Sequence, residues 1–263
     1  VDIINGKGTL GPIVSGELDV DRMDYLCRDA YNTGATYGNI DFRRIMRTMK
    51  VLDGKIVFRA SGVNSIESYI MARYHMYWQV YFHPKSRAYE LLLQSIYMRI
   101  SDLTKNNVKI NANVDELISV IQNPDDLASY VILDDSYVNG MIKQLTKADD
   151  EILRDLAISF EKRSLYKFIE INNEDEYNEA LKIKDEMDPI MAPYYFNENK
   201  VTQTAYLHVA STLDDDINDI KILTPNGNIE SLEEYSPIIK GLVSSASKTI
   251  KRIFYKEPLC LIK

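Results

Sequence analysis

ELDVDRMDYLCRDAYNTG, residues 17–34, decides how the rest of the chain is read. Asp19, Asp21, Asp24 and Asp29 crowd among Arg22, Arg28 and Tyr25, and the stretch ends on a glycine turn. It predicts a helix from about Glu17 to Tyr31. Helical side chains four apart share a face. Asp21, Tyr25 and Asp29 therefore line one side, each turned about 40° from the last by the 3.6-residue period. Arg22 lies near the edge of that face. A carboxylate offers hard oxygen ligation, a phenol packs on a sugar or donates to phosphate, and a second carboxylate accepts from hydroxyls. On spacing alone the simpler reading is a solvated acidic face with i,i+4 pairs such as Asp24 with Arg28.

Working outward, NTGATYGNID breaks this helix at Asn32, Gly34 and Gly38, and Asp41 stands at an N-cap position before FRRIMRTMKV. KIVFRAS predicts a strand over Lys55–Ser61, paired with MKVL across the Asp53-Gly54 turn. Ile66, Tyr69, Ile70, Arg73, Tyr77, Val80 and Tyr81 recur at helical spacing and predict a long helix from Ser65 to Phe82. Arg73, Tyr77 and Tyr81 share a second face. An arginine there suits phosphate through its planar fork of donors, although a tyrosine stripe is ordinarily core. Pro84 stops that helix and opens the next. Three more helical patterns follow, VDELISVIQN, SYVNGMIKQLTK and DDEILRDLAISFEKR. The character then changes. SLYKFIEI, KVTQTAYLHV, DIKILT and KRIFYKEP read as strands, with helices in EDEYNEALKIKDEM and SPIIKGLVSSA. The expected fold class is mainly α, a helical region over 1–162 followed by a smaller α+β lobe over 163–263 with an antiparallel sheet.

A chain of 263 residues can bury a substantial core, and 45% hydrophobic with 27% charged residues is ordinary for a globular protein. A net charge of −8 argues against nucleic acid and anionic lipid as partners, so phosphate binding must come from a local pocket. No apolar run approaches a membrane span. Two cysteines, Cys27 and Cys260, make no disulfide framework, and no signal peptide is visible, so a cytoplasmic setting is expected. The chain contains no P-loop, dinucleotide fingerprint, CxxC, HExxH or GxSxG. His75 and His208 have no ligand-spaced acid or cysteine and read as structural.

The longer stretch SGELDVDRMDYLCRDAYNTGATYGNIDFRRIM resembles the segment around the last metal-ligand aspartate of HD-domain deoxynucleoside triphosphate triphosphohydrolases. The shared pattern is D-x-D-[RK]-x-D-Y, then R-D, a glycine turn and D-x-x-R-I. IESYIMARYHMYWQVYFHPK, FEKRSLYKFIE and LTPNGNIESLEEYSPIIKGLV are similar to later elements of the same family, so the likeness runs over essentially the whole chain. It implies cleavage of a dNTP to deoxynucleoside and triphosphate with a divalent metal ion such as Mg or Mn. Residue by residue, it implies Asp21 as catalytic metal ligand, Arg22 and Arg73 on the substrate phosphates, and Tyr25 beside phosphates and sugar. It further implies Asp29 on the 3′-hydroxyl, Tyr81 under the deoxyribose, where it excludes a 2′-hydroxyl, and His83 near the nucleoside. Arg44, Arg59, Arg163 and Lys167 match a regulatory nucleotide site of related tetrameric enzymes, which implies an effector nucleotide and a homo-oligomer, dimer or tetramer.

The chain departs from the family at its defining motif. No His-Asp dipeptide occurs, and the first histidine is His75, well after Asp21. One carboxylate does not hold a catalytic metal in water, since such a site needs several ligands and an open position. With Val1 at its start, the chain is expected to be the C-terminal portion of a longer enzyme, inactive alone. The alternatives are a non-catalytic nucleotide-binding or scaffolding module of an HD-type assembly and, ranked lower, an HD-type hydrolase of another phosphoester.

Overall fold

The computed structural model describes residues 3–203, 219–245 and 248–257. His208, Cys260 and the second half of the strand expected in KVTQTAYLHV lie outside them. The helices and strands follow one another as α1 (Gly11–Ser15), α2 (Val20–Thr33), α3 (Phe42–Thr48), β1 (Met49–Leu52), β2 (Lys55–Arg59) and α4 (Val63–Met76). A π-helical turn, Tyr77–Tyr81, extends α4. Next come α5 (Pro84–Lys105), α6 (Asp115–Gln122), α7 (Leu127–Ile132), α8 (Asp135–Leu145) and α9 (Glu151–Glu161). The remainder is β3 (Lys167–Ile171), α10 (Glu174–Asp185), α11 (Ala192–Tyr195), β4 (Phe196–Gln203), β5 (Lys221–Leu223), β6 (Ile229–Ser231), α12 (Leu232–Tyr235), α13 (Pro237–Ser244) and β7 (Lys248–Tyr255). The fold is mainly α with a smaller α+β part, as the sequence predicts.

Two compact units divide the chain: Val1–His83 with Thr202–Thr249, and Pro84–Val201 with Ile250–Lys263. The change of character expected near Lys162 falls inside the second unit, where α9 gives way to β3. Sequence patterning registers local structure there, whereas the units are set by which segments return to pack together.

In the first unit α2 begins where Asp19 accepts the Arg22 backbone N–H at 2.6 Å and ends at Gly34, whose φ of 72° is the left-handed conformation that closes a helix. Met23, Leu26 and Ala30 form its buried stripe. Asp41 caps α3 as expected, accepting from the Arg44 N–H at 2.9 Å. Asp53 and Gly54 both have positive φ, 50° and 74°, so the β1–β2 hairpin closes on a two-residue turn whose twist matches the strands. The sheet order is β1-β2-β5-β6, with β2 and β5 parallel and the other pairs antiparallel. Its core gathers Leu26, Ile45, Phe58, Ile66, Tyr69, Met76, Ile222, Leu232 and Ile239. The long helix expected over 65–82 turns out to be α-helical only to Met76. Phe82 then donates to the Tyr77 carbonyl at 2.7 Å, five residues back, which widens the last turn and re-aims Tyr81.

In the second unit α5, α8 and α9 pack around Leu92, Ile96, Ile142, Leu145, Leu153 and Leu156. A three-stranded sheet runs β3-β7-β4, with β3 and β7 antiparallel. Asp155, buried on α9, accepts from Tyr195 Oη at 2.5 Å and Lys256 Nζ at 2.8 Å. The short α7 leaves Leu127, Tyr130, Val131 and Ile132 exposed.

Candidate functional site

The first unit brings α2 and the end of α4 together. Tyr81 donates its hydroxyl to Asp29 Oδ2 at 2.7 Å. The Tyr25 and Tyr81 rings meet edge to face, centroids 6.2 Å apart, and Tyr77 packs on Tyr81 in the same manner at 5.1 Å. Burial pushes the Tyr81 phenol well above its ordinary value, and the carboxylate of Asp29 pushes it further. Tyr25 is raised by burial and then by the Tyr77 hydroxyl, while Arg73 and Arg22 pull it down. Both guanidiniums therefore act on the Tyr25 phenol.

The two arginines are held from one short segment before α2. Arg73 is 8% exposed and pairs with Glu17 Oε2 at 2.5 Å, its guanidinium 5.9 Å from the Tyr77 ring centre. Burial works to lower the Arg73 pKa, but the Glu17 carboxylate outweighs it and the value is raised. Tyr69, fully buried, donates to the Glu17 carbonyl at 3.1 Å. Arg22 donates Nη1 to the Gly16 carbonyl at 2.5 Å and to Asp19 Oδ2 at 2.7 Å. Burial raises the Asp19 pKa against the opposing Arg22 backbone N–H and charge.

Asp21 stands exposed in the first turn of α2. Among the described residues no three His, Cys, Asp or Glu side chains gather where they could hold a metal ion. Asp24 and Arg28 form the exposed i,i+4 pair expected of a solvated face, at 3.1 Å. His83 is exposed beyond the π-turn, and His75 packs on the Tyr37 ring at 5.1 Å. Arg44 donates to the Ser61 carbonyl at 3.0 Å, and Arg59 is exposed at the end of β2, both in the first unit. Arg163, exposed with a φ of 53°, and Lys167, paired with Glu257 at 2.8 Å, belong to the second. There they line an open groove of about 980 Å³ with Lys85, Tyr89 and Phe168.

Glu17 had no role in the sequence-based reading. No local pattern marks it, since Glu17 lies in a turn ahead of α2.

A family model described as the HD associated region matches residues 40–257. The chain belongs to that family. It is 34% identical to the uncharacterized protein YwfO of Bacillus subtilis over 252 residues, 94% of this chain and 57% of that protein. The chain thus spans little more than half the length of that curated relative. It is 25% identical over 153 residues to a deoxynucleoside triphosphate triphosphohydrolase SAMHD1 homolog of Dictyostelium discoideum, 58% of this chain and 27% of that protein. The crystal structure of a phosphohydrolase from Bacteroides thetaiotaomicron superposes with a TM-score of 0.81 at 28% identity, covering 97% of this chain and 66% of that one. No helix among the described residues of this HD associated region is long and apolar enough to cross a membrane.

Proposed function

We propose that this chain is the substrate-binding portion of a metal-dependent HD-type phosphohydrolase that cleaves dNTP to deoxynucleoside and triphosphate. The observation that carries it is the contact of Tyr81 with Asp29 and Tyr25 across two helices, with Arg73 and Arg22 acting on the Tyr25 phenol. The likeness to a phosphohydrolase and, more distantly, to dNTP triphosphohydrolases supports the reaction class.

In this proposal Asp29 accepts from the 3′-hydroxyl, and the Tyr81 ring lies against the deoxyribose where a ribonucleotide carries its 2′-hydroxyl. Arg22 and Arg73 supply positive charge to a triphosphate, whose transfer chemistry depends on charge neutralisation and alignment. Tyr25 stands between sugar and phosphates, and His83 near the base. Arg44 and Arg59 of the first unit, and separately Arg163 and Lys167 of the second, would serve effector-nucleotide binding in a homo-oligomer. The described residues do not by themselves fit a divalent metal: Asp21 supplies one carboxylate, and a catalytic site needs three or more ligands. That same ligand count favours a second reading, a nucleotide-binding module without turnover.

Calorimetry with dGTP and GTP, each with and without manganese, tests the proposal. dGTP is expected to bind more tightly than GTP, and Tyr81→Ala to narrow the difference. Equal affinities in the unaltered chain would overturn the sugar assignment. Robust dNTP hydrolysis by the chain alone would overturn the ligand count.

A further inference from the structure

Both arginines of the site are held by Gly16, Glu17 and Asp19, three residues of the short lead-in to α2. Glu17 and Asp19 are 8% and 4% exposed, a rare depth for carboxylates unless they are paired. Glu17 takes Arg73 from the end of α4, and Asp19 takes Arg22 from the start of α2. The Gly16 carbonyl and the Tyr69 hydroxyl close the set. Two carboxylates thus face two guanidiniums. An arginine fork has several donors in fixed geometry, so anchoring one edge in the protein aims the remaining donors.

We propose that Glu17 and Asp19 are positioning residues that hold Arg73 and Arg22 in register for an anionic phosphate chain. The proposal rests on the phosphate-binding role given to those arginines above. Each carboxylate costs the site positive charge, so a purely electrostatic influence has a definite sign: removing either acid should tighten the binding of an anion. Positioning has the opposite sign. Without its anchor the guanidinium must be ordered by the ligand itself, and that ordering cost weakens binding. Net charge and geometry therefore predict opposite shifts from one substitution.

The experiment is calorimetry of the chain with inorganic triphosphate, comparing Glu17→Gln, Asp19→Asn, Arg73→Ala and Asp24→Asn. Asp24→Asn is the control, because it removes the same charge from an exposed pair on the same helix. Asp19→Asn guards against misfolding, because asparagine caps a helix as well as aspartate does. Glu17→Gln and Asp19→Asn should each bind about tenfold more weakly, a shift in the range expected for one charged hydrogen bond, with Asp24→Asn unchanged or slightly tighter. Unchanged or tighter binding in Asp19→Asn, or in a folded Glu17→Gln, overturns the positioning role while Arg73→Ala still loses affinity. If the unaltered chain and Arg73→Ala bind equally, or neither binds, the phosphate site itself is overturned and the positioning role with it.

Discussion

Replacing Tyr81 by phenylalanine deletes a single oxygen, the one that joins α4's π-turn to α2 through Asp29 at 2.7 Å. A hydrogen bond to a charged acceptor contributes about 1.5–3 kcal/mol. Asp29 and Tyr81 are both only partly buried, and solvent screening brings the expectation down to about 1 kcal/mol. A double-mutant cycle isolates that energy. Tyr81→Phe and Asp29→Asn are each made alone and then together, and urea unfolding is followed by tryptophan fluorescence. Trp78 is the only tryptophan, three residues before Tyr81, so the probe reports the first unit at the site. The two single variants should each lose stability and the double variant should lose less than their sum, by about 1 kcal/mol. Additivity to within about 0.3 kcal/mol would show that the two helices do not meet through this bond in solution. The shared face from which the site is built would then be lost.

Two further outcomes test the second unit. Asp155→Ala leaves the buried Lys256 ammonium and Tyr195 hydroxyl without their common acceptor, and it should cost about 3–5 kcal/mol in denaturant unfolding followed by far-ultraviolet circular dichroism. Asp155→Leu combined with Lys256→Met should recover most of that loss, and equal losses in the single and double variants would refute the ion-pair account. Asp150 caps α9 and receives Arg99 through two bonds, at 3.0 and 2.5 Å. Burial works to raise its carboxyl pKa, but Arg99 and the Leu153 N–H outweigh it and the value is lowered below 3.8. Its stabilisation is therefore complete above that value and is lost as pH falls through the lower folded one. Asp150→Asn keeps the cap and should flatten the acid limb of thermal stability between about pH 5 and pH 1. An unchanged limb counts against the pairing.

Much of the fold was legible because it is written in short-range chemistry. Asp41 before FRRIM, Asp53-Gly54 between two β-branched runs and Pro84 after an aromatic stretch act through a few neighbouring bonds, and each behaves as expected. β6 and the helices α1, α7, α11 and α12 were not anticipated. Each is six residues or fewer, too short to show a period. Of the candidate site, the contact of Asp29 with Tyr81 follows from residues that the sequence had already singled out. The anchoring of Arg73 by Glu17 does not, because Glu17 precedes α2 and no helical spacing places it on the shared face.

The sequence by itself determined which residues could share a helix face, since periodicity and capping are local properties of the chain. Only the tertiary structure decided that the α-helix yields to a π-turn at Tyr77, that Tyr81 is thereby aimed at Asp29, and that Arg73 is buried against Glu17. The physical reason is that a buried charge must find its counter-ion wherever the fold brings one. That choice is made between segments distant in sequence, where no local pattern records it.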